Sequence, residues 1–188
     1  MNIGEVHRIN AASLKKSAVK GSVDCDFNLS APSHMFVVRI LALKNYDKKR
    51  RLAQTPEPGP KIDRSERKRF VVQEHRATRL HWDFRLELDG VLKSWAVPKG
   101  PPEEPGLRRL AVEVEDHPVD YITFEGTIPT GNYGAGYVKI WDKGTFRLKR
   151  RTKDLYEFWL KGKRLNGKYA LVRFKEKNWL MLKSKSED

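Results

Sequence analysis

Residues 80–88 read Leu-His-Trp-Asp-Phe-Arg-Leu-Glu-Leu, and Asp89-Gly90 follows directly. Leu80, Trp82, Phe84, Leu86 and Leu88 fall on one side of this stretch, and His81, Asp83, Arg85 and Glu87 on the other. An unbroken period of two is the signature of a strand. Asp-Gly supplies the positive φ angles of a two-residue hairpin, so the chain is expected to return as a second strand, Val91 to Val97. The polar side of the first strand sets imidazole, carboxylate and guanidinium next to one another. That set suits a divalent transition metal with a phosphate beside it. The plainer alternative is the solvated side of an antiparallel sheet.

The chain beyond residue 70 continues in strands. Phe70 to Gln73 leads into His75, and Arg109-Leu-Ala-Val-Glu-Val-Glu115 alternates again. There Leu110, Val112 and Val114 are expected on one face and Arg109, Glu113 and Glu115 on the other, with His117 joining them if the strand runs on. Further strands are expected at Tyr137 to Trp141, around Phe146, and at Tyr156 to Leu160, Tyr169 to Phe174 and Trp179 to Leu182. Gly126 to Gly136 and Asp142-Lys-Gly144 read as turns, and Pro98-Lys99-Gly-Pro-Pro102 as a rigid loop. No helical period and no internal repeat is visible after residue 70. The expected fold is all-β, a closed or partly open barrel with an active-site groove on its surface, preceded by a basic N-terminal arm.

Residues 1–43 read as a weakly ordered tail and residues 44–188 as the domain. The arm, residues 44–69, is rich in Lys and Arg and is interrupted by Thr55-Pro-Glu-Pro-Gly-Pro60, which holds neither a helix nor an inner strand. It reads either as a linker or as a segment crossing the site, with Glu57 fixed by its prolines.

Charge is unevenly distributed. Residues 1–69 carry 15 basic and 7 acidic side chains, residues 70–142 carry 8 and 12, and residues 143–188 carry 15 and 5. An acidic centre between basic walls suits a metal site that draws in a polyanion such as nucleic acid. A single cysteine, Cys25, excludes an internal disulfide. The early apolar run, Met35 to Leu43, is broken by Arg39 and too short to span a bilayer. The expectation is an intracellular, cytoplasmic protein without membrane contact.

His75, His81 and His117 thus lie on or beside polar strand faces with Asp83, Arg85, Arg109 and Glu115. At this point a resemblance is visible. The run from His75 through Arg85 and on to Pro98-Lys-Gly-Pro101 strongly resembles the 3′-phosphoesterase domain of bacterial DNA ligase D, a family that also occurs as stand-alone proteins. The match continues through Leu110-Ala-Val-Glu-Val-Glu-Asp-His-Pro118, Phe124-Glu-Gly-Thr-Ile-Pro129, Gly134-Ala-Gly136 and Lys177-Asn-Trp-Leu-Met-Leu-Lys183.

The resemblance implies a manganese-dependent enzyme that removes a 3′-terminal ribonucleotide from a DNA or primer strand and then the 3′-phosphate, leaving a 3′-OH for a ligase. It also implies DNA 3′ ends as substrate and a DNA ligase or end-joining factor as partner. His75, His81 and Asp83 match its metal ligands, and Arg85 and His117 the groups that hold the scissile phosphate. Lys99, Arg109, Glu115 and Tyr121, with Arg50 and Glu57 in the arm, match further site positions. Arg51 stands where the family usually has an acidic residue. A leaving oxygen needs a proton, which His117 can supply if it is protonated near neutral pH. Two other readings compete: a DNA-end-binding module without turnover, and a non-haem iron oxygenase using His81, Asp83 and His117 as a facial triad.

Overall fold

The computed structural model describes residues 42–185 apart from Arg64 and Glu66. The expected tail lies outside the described residues except for Ala42 and Leu43, which pack with the domain. Among the described residues nine strands form: β1 (Arg69–Arg76), β2 (Leu80–Leu88), β3 (Val91–Val97), β4 (Arg108–Glu113), β5 (Gly126–Ile128), β6 (Gly136–Arg151), β7 (Leu155–Gly162), β8 (Asn166–Lys175) and β9 (Asn178–Lys183). They pair antiparallel in the order β1-β2-β3-β4-β9-β8-β7-β6, and a β1–β6 pairing closes an eight-stranded barrel. The short β5 pairs with the first residues of β6, outside the ring. Among the described residues, helical structure is confined to α1 (Lys44–Lys49) and two 3-10 turns, Leu52–Gln54 and Val119–Thr123. No helix among the described residues is long and apolar enough to cross a membrane.

The expected alternation of β2 holds, and it decides where the core and the site lie. Phe84, Leu86 and Leu88 point into the barrel with Trp95, Phe158, Leu160 and Trp179. Trp95 is central: its ring lies 5.5 Å from Tyr156, 5.8 Å from Trp179 and 6.3 Å from Phe84. The barrel interior is therefore filled with side chains, as expected for eight strands.

The outer side of β1, β2 and β3 is covered as well. A second apolar cluster joins Val71, Leu92 and Val138 on the strands to Leu43 and Tyr46 from the arm and to Tyr121, Ile122 and Phe124 from the turn after β4. The polar side of β2 lies beneath this layer, with Asp83, Arg85 and Glu87 all buried. The reading of β2 as a solvated sheet face is thereby excluded.

Three expectations change. First, the chain does not turn at Asp142-Lys-Gly144, because β6 runs through it. The Asp142 carboxylate instead accepts the backbone N–H groups of Lys163, Arg164 and Leu165. A side chain at Gly144 would run into the Lys161 backbone. Turn residues here serve a bulged register and a close strand approach.

Second, the faces of β4 are reversed. Arg109, Ala111 and Glu113 pair with Met181, Trp179 and Trp95, so they face inward, and Leu110 is left 43% exposed. Small Ala111 is what fits beside the Trp179 ring. The register moves from Trp95↔Glu113 to Leu92↔His117, four residues against three, and this bulge turns His117 to the outer side. Third, Gly126 to Gly136 is not all turn, since it holds β5.

Candidate active site

Register brings the site together. His75 lies opposite His81, Gln73 opposite Asp83, and Ser94 opposite Arg85. His75, His81 and Asp83 each offer one ligand atom, all within 4.8 Å of one another. His75 Nδ1 is 3.6 Å from Asp83 Oδ2, and His81 Nε2 is 3.8 Å from Asp83 Oδ1.

The outer nitrogens of both rings are engaged: His75 Nε2 with the Gly134 carbonyl at 2.8 Å, His81 Nδ1 with the Arg79 carbonyl at 2.9 Å. A carbonyl only accepts, so each ring carries its proton outward and turns a lone pair inward. That is the orientation metal-ligating imidazoles need. Burial pushes the Asp83 carboxyl up, but the Arg85 guanidinium beside it, with His75 and His81, holds it below the usual aspartate range. Two lone pairs and a carboxylate fit a borderline divalent ion.

Arg85 is buried and fully oriented. Its Nε donates to Gln73 Oε1 at 2.8 Å, Nη1 to Ser94 Oγ at 2.8 Å and Nη2 to Asp83 Oδ2 at 3.0 Å, and it lies 4.9 Å from the Tyr121 ring centroid. These bonds leave one N–H on each terminal nitrogen. His117 stands next in the cavity. Its Nδ1–H donates to the Glu115 carbonyl at 2.9 Å, and its Nε2 accepts from Arg50 Nη2 at 3.0 Å. Burial first, then the Arg85 and Arg50 charges, push its pKa well below the usual histidine range. In this arrangement His117 is therefore neutral, so the condition for proton donation, protonation near neutral pH, is not met without a change at Nε2.

The arm crosses the site and is not a linker. Arg50 donates to Glu57 at 3.1 Å, to Glu115 at 2.8 Å and to His117, and its guanidinium lies 4.0 Å from the Tyr46 ring centroid. Glu57 is buried and also accepts from Thr55 Oγ1 at 3.0 Å and from the Tyr121 hydroxyl at 3.2 Å. Arg50, Glu115, His117 and Tyr121, with the ligand set and Arg85, line a cavity of about 150 Å³.

Of the sequence-derived set, the fold gathers His75, His81, Asp83, Arg85, Arg50, Glu115, His117 and Tyr121 around that cavity, with Glu57 directly behind them. It does not bring Lys99 or Arg109 to the lining. Lys99 is exposed in the loop after β3, and Arg109 faces the barrel interior. Arg51 is exposed. His117 is not part of the three-residue ligand set, so the His81, Asp83 and His117 triad of the oxygenase reading does not form.

Sequence reasoning missed Gln73, Ser94, Lys49 and Tyr133. Gln73 lies two residues before His75 on the same strand face, so alternation alone could have found it. Ser94 carries no local signal, because only its register with Arg85 gives it a role. Lys49 donates to Glu115 at 2.9 Å and to the Tyr133 hydroxyl at 3.1 Å.

The sequence profile of the DNA Ligase D 3′-phosphoesterase domain matches residues 73–173. The Multifunctional non-homologous end joining protein LigD of Pseudomonas aeruginosa is 48% identical over 155 residues, 76% of this chain. The Mycobacterium tuberculosis Multifunctional non-homologous end joining DNA repair protein LigD is 46% identical over 151 residues, 77% of the chain.

The chain belongs to the DNA ligase D 3′-phosphoesterase family. It spans about a fifth of the relatives' length, 18% and 20% in these two. The profile match takes in the whole ligand set with Arg85, Glu115, His117 and Tyr121, and the 76% and 77% of the chain aligned with the two relatives are long enough to include the arm with Arg50 and Glu57 as well.

Proposed function

We propose that the chain is a manganese-dependent phosphoesterase that heals DNA 3′ ends, removing a 3′-terminal ribonucleotide and then the 3′-phosphate to leave a ligatable 3′-OH. The observation that carries this is the inward convergence of His75 Nδ1, His81 Nε2 and Asp83 beside two buried guanidiniums, in a chain of the 3′-phosphoesterase family. A divalent ion held by those three residues would neutralise a phosphate oxygen and make a bound water more acidic.

The chain's own residues supply the rest. The spare N–H groups of Arg85 and those of Arg50 receive the remaining phosphate oxygens and oppose the charge that grows during attack. An incoming phosphate oxygen competes with His117 for the Arg50 donor. Freed of Arg50 and next to an anion, Nε2 gains affinity for a proton, and His117 then becomes the donor to the leaving oxygen. Glu115 keeps Arg50 and Lys49 within reach through both of its oxygens. Lys99, exposed in the loop after β3, is left to contact the strand outside the cavity, whereas Arg109 faces the barrel interior and takes no part.

The substrate is the 3′ end of DNA, the partners are a ligase or end-joining factor, and the working compartment is the cytoplasm. The test is a duplex primer ending in one 3′-ribonucleotide, incubated with manganese and resolved by end chemistry. A 3′-phosphate that appears first and then gives way to 3′-OH is the expected course. Absence of metal-dependent shortening would overturn the proposal.

A further inference from the structure

Tyr133 lines the cavity of the ligand set and yet is 49% exposed. The other tyrosines of the cavity region, Tyr46 and Tyr121, are buried, and their hydroxyls donate to the Pro58 carbonyl at 2.6 Å and to Glu57. Exposure usually means a mobile side chain, but Tyr133 is held from several directions. Its hydroxyl receives Lys49 Nζ at 3.1 Å, and that ammonium lies 4.4 Å from the ring centroid, with the Arg50 guanidinium at 5.4 Å.

Its backbone is fixed too. Gly131 and Gly134 take φ angles of +88° and +76°, which only glycine adopts readily, and Asn132 and Ala135 close successive turns onto the Pro129 and Asn132 carbonyls. The Gly134 carbonyl is the one that orients His75. The same turn that aims a metal-ligand candidate therefore also sets an open, immobilised aromatic ring at the cavity rim.

We propose that Tyr133 is the stacking platform for a nucleobase flanking the scissile phosphate. A phosphate drawn to Arg85 and Arg50 brings its nucleosides to the rim, where one aromatic surface is already in place and loses little further freedom on binding. Stacking on a fixed ring is tolerant of base identity, because every base offers a π-face. The site thereby distinguishes a nucleotide end from a bare phosphate without reading sequence. Lys49 and Arg50 tie the two halves of recognition together, since each contacts the ring and also Glu115 beside the phosphate pocket.

This inference rests on the proposed function for placing a nucleotide in the cavity, but its test needs no turnover. Equilibrium affinity is measured, in chelator, for a labelled primer end and for the same end made abasic on both sides of the terminal phosphodiester, and cleavage of the two ends is then read separately in manganese. Wild-type protein should prefer the base-bearing end by roughly 5- to 100-fold, the scale of one stacked base. Tyr133→Ala should lose that preference by weakening only the base-bearing complex. Tyr133→Trp should keep it, and Tyr133→Phe, which lacks only the hydroxyl that meets Lys49, should keep most of it.

Equal wild-type affinity for both ends would overturn the proposal, whatever the variants do. So would an alanine variant that weakens both ends alike, which would mark Tyr133 as scaffolding for the arm. A protein that prefers the base-bearing end but hydrolyses nothing would overturn the hydrolase reading and leave the platform standing. One that binds and cleaves both ends alike would do the reverse.

Discussion

At the scale of single residues, the site is a set of groups with few spare bonds, which fixes what each substitution should do. His81→Ala removes a lone pair that only Nε2 supplies, while His81 is partly exposed and contributes little to the core. Manganese affinity should fall at least about tenfold with the thermal midpoint nearly unchanged, a result read by calorimetry and circular dichroism. Arg85→Lys is not conservative here. Lysine cannot reach Gln73, Ser94 and Asp83 at once, so the variant should lose about 3 kcal/mol of stability and loosen Asp83 as well. Urea unfolding that matches wild type would contradict this.

His117 gives a pH prediction. Its folded-state pKa lies below the ordinary 6.5, so above that value neither state holds the proton and its contribution to stability is complete. As pH falls through 6.5 the unfolded chain takes up a proton that the native state refuses, and stability declines. Replacing His117 with Asn should flatten the fall in urea midpoint between about pH 7.5 and about pH 5.5. An unchanged slope would show that the imidazole is not held neutral.

At the scale of elements, the arm is a wall of the site. Tyr46 is fully buried between the barrel and Arg50. Tyr46→Ala should cost about 3–5 kcal/mol and expose residues 44–60 to trypsin before the barrel unfolds. Cleavage first within the strands would contradict that.

Legibility from sequence followed the same lines. β2 was readable because its alternation is strict and Asp89-Gly90 ends it, and with it came His81, Asp83 and Arg85 on one face. β4 misled because apolar Leu110 and Val112 look like core, whereas Ala111 is the residue small enough to sit against Trp179. Asp142 and Gly144 misled because carboxylate capping and close strand approach use the same residue types as turns. The burial of the polar face was not legible at all. It depends on Tyr46 and Tyr121 arriving from segments far away in the chain, which no local pattern encodes.

At the scale of the whole molecule, one basic stretch of the C-terminal third, Lys149 and Arg150, lies at the far end of β6 from the ligand set. Lys149 and Arg150 are exposed, and Lys149 is eleven residues along β6 from Val138, the partner of His75, or roughly 35 Å of strand. A ligand of up to roughly ten base pairs would reach both. Neutralising Lys149 and Arg150 should lower affinity and reduce the salt dependence for a long duplex, and should leave a short oligonucleotide unaffected. Equal effects on both lengths would place the nucleic acid on another path.

The central claim is that His75, His81 and Asp83 form a metal centre at which a DNA 3′ phosphoester is hydrolysed. Single-turnover cleavage of a 3′-ribonucleotide primer, titrated with manganese for wild type and Asp83→Asn, tests it most directly. Asn keeps the shape and an acceptor for Arg85 but loses the charge. Wild-type cleavage should saturate with manganese and stop in chelator, and the Asp83→Asn protein should still bind the primer but not cleave it at any manganese concentration. Wild-type cleavage that persists in chelator, or an Asp83→Asn variant that cleaves at the wild-type rate, would contradict it.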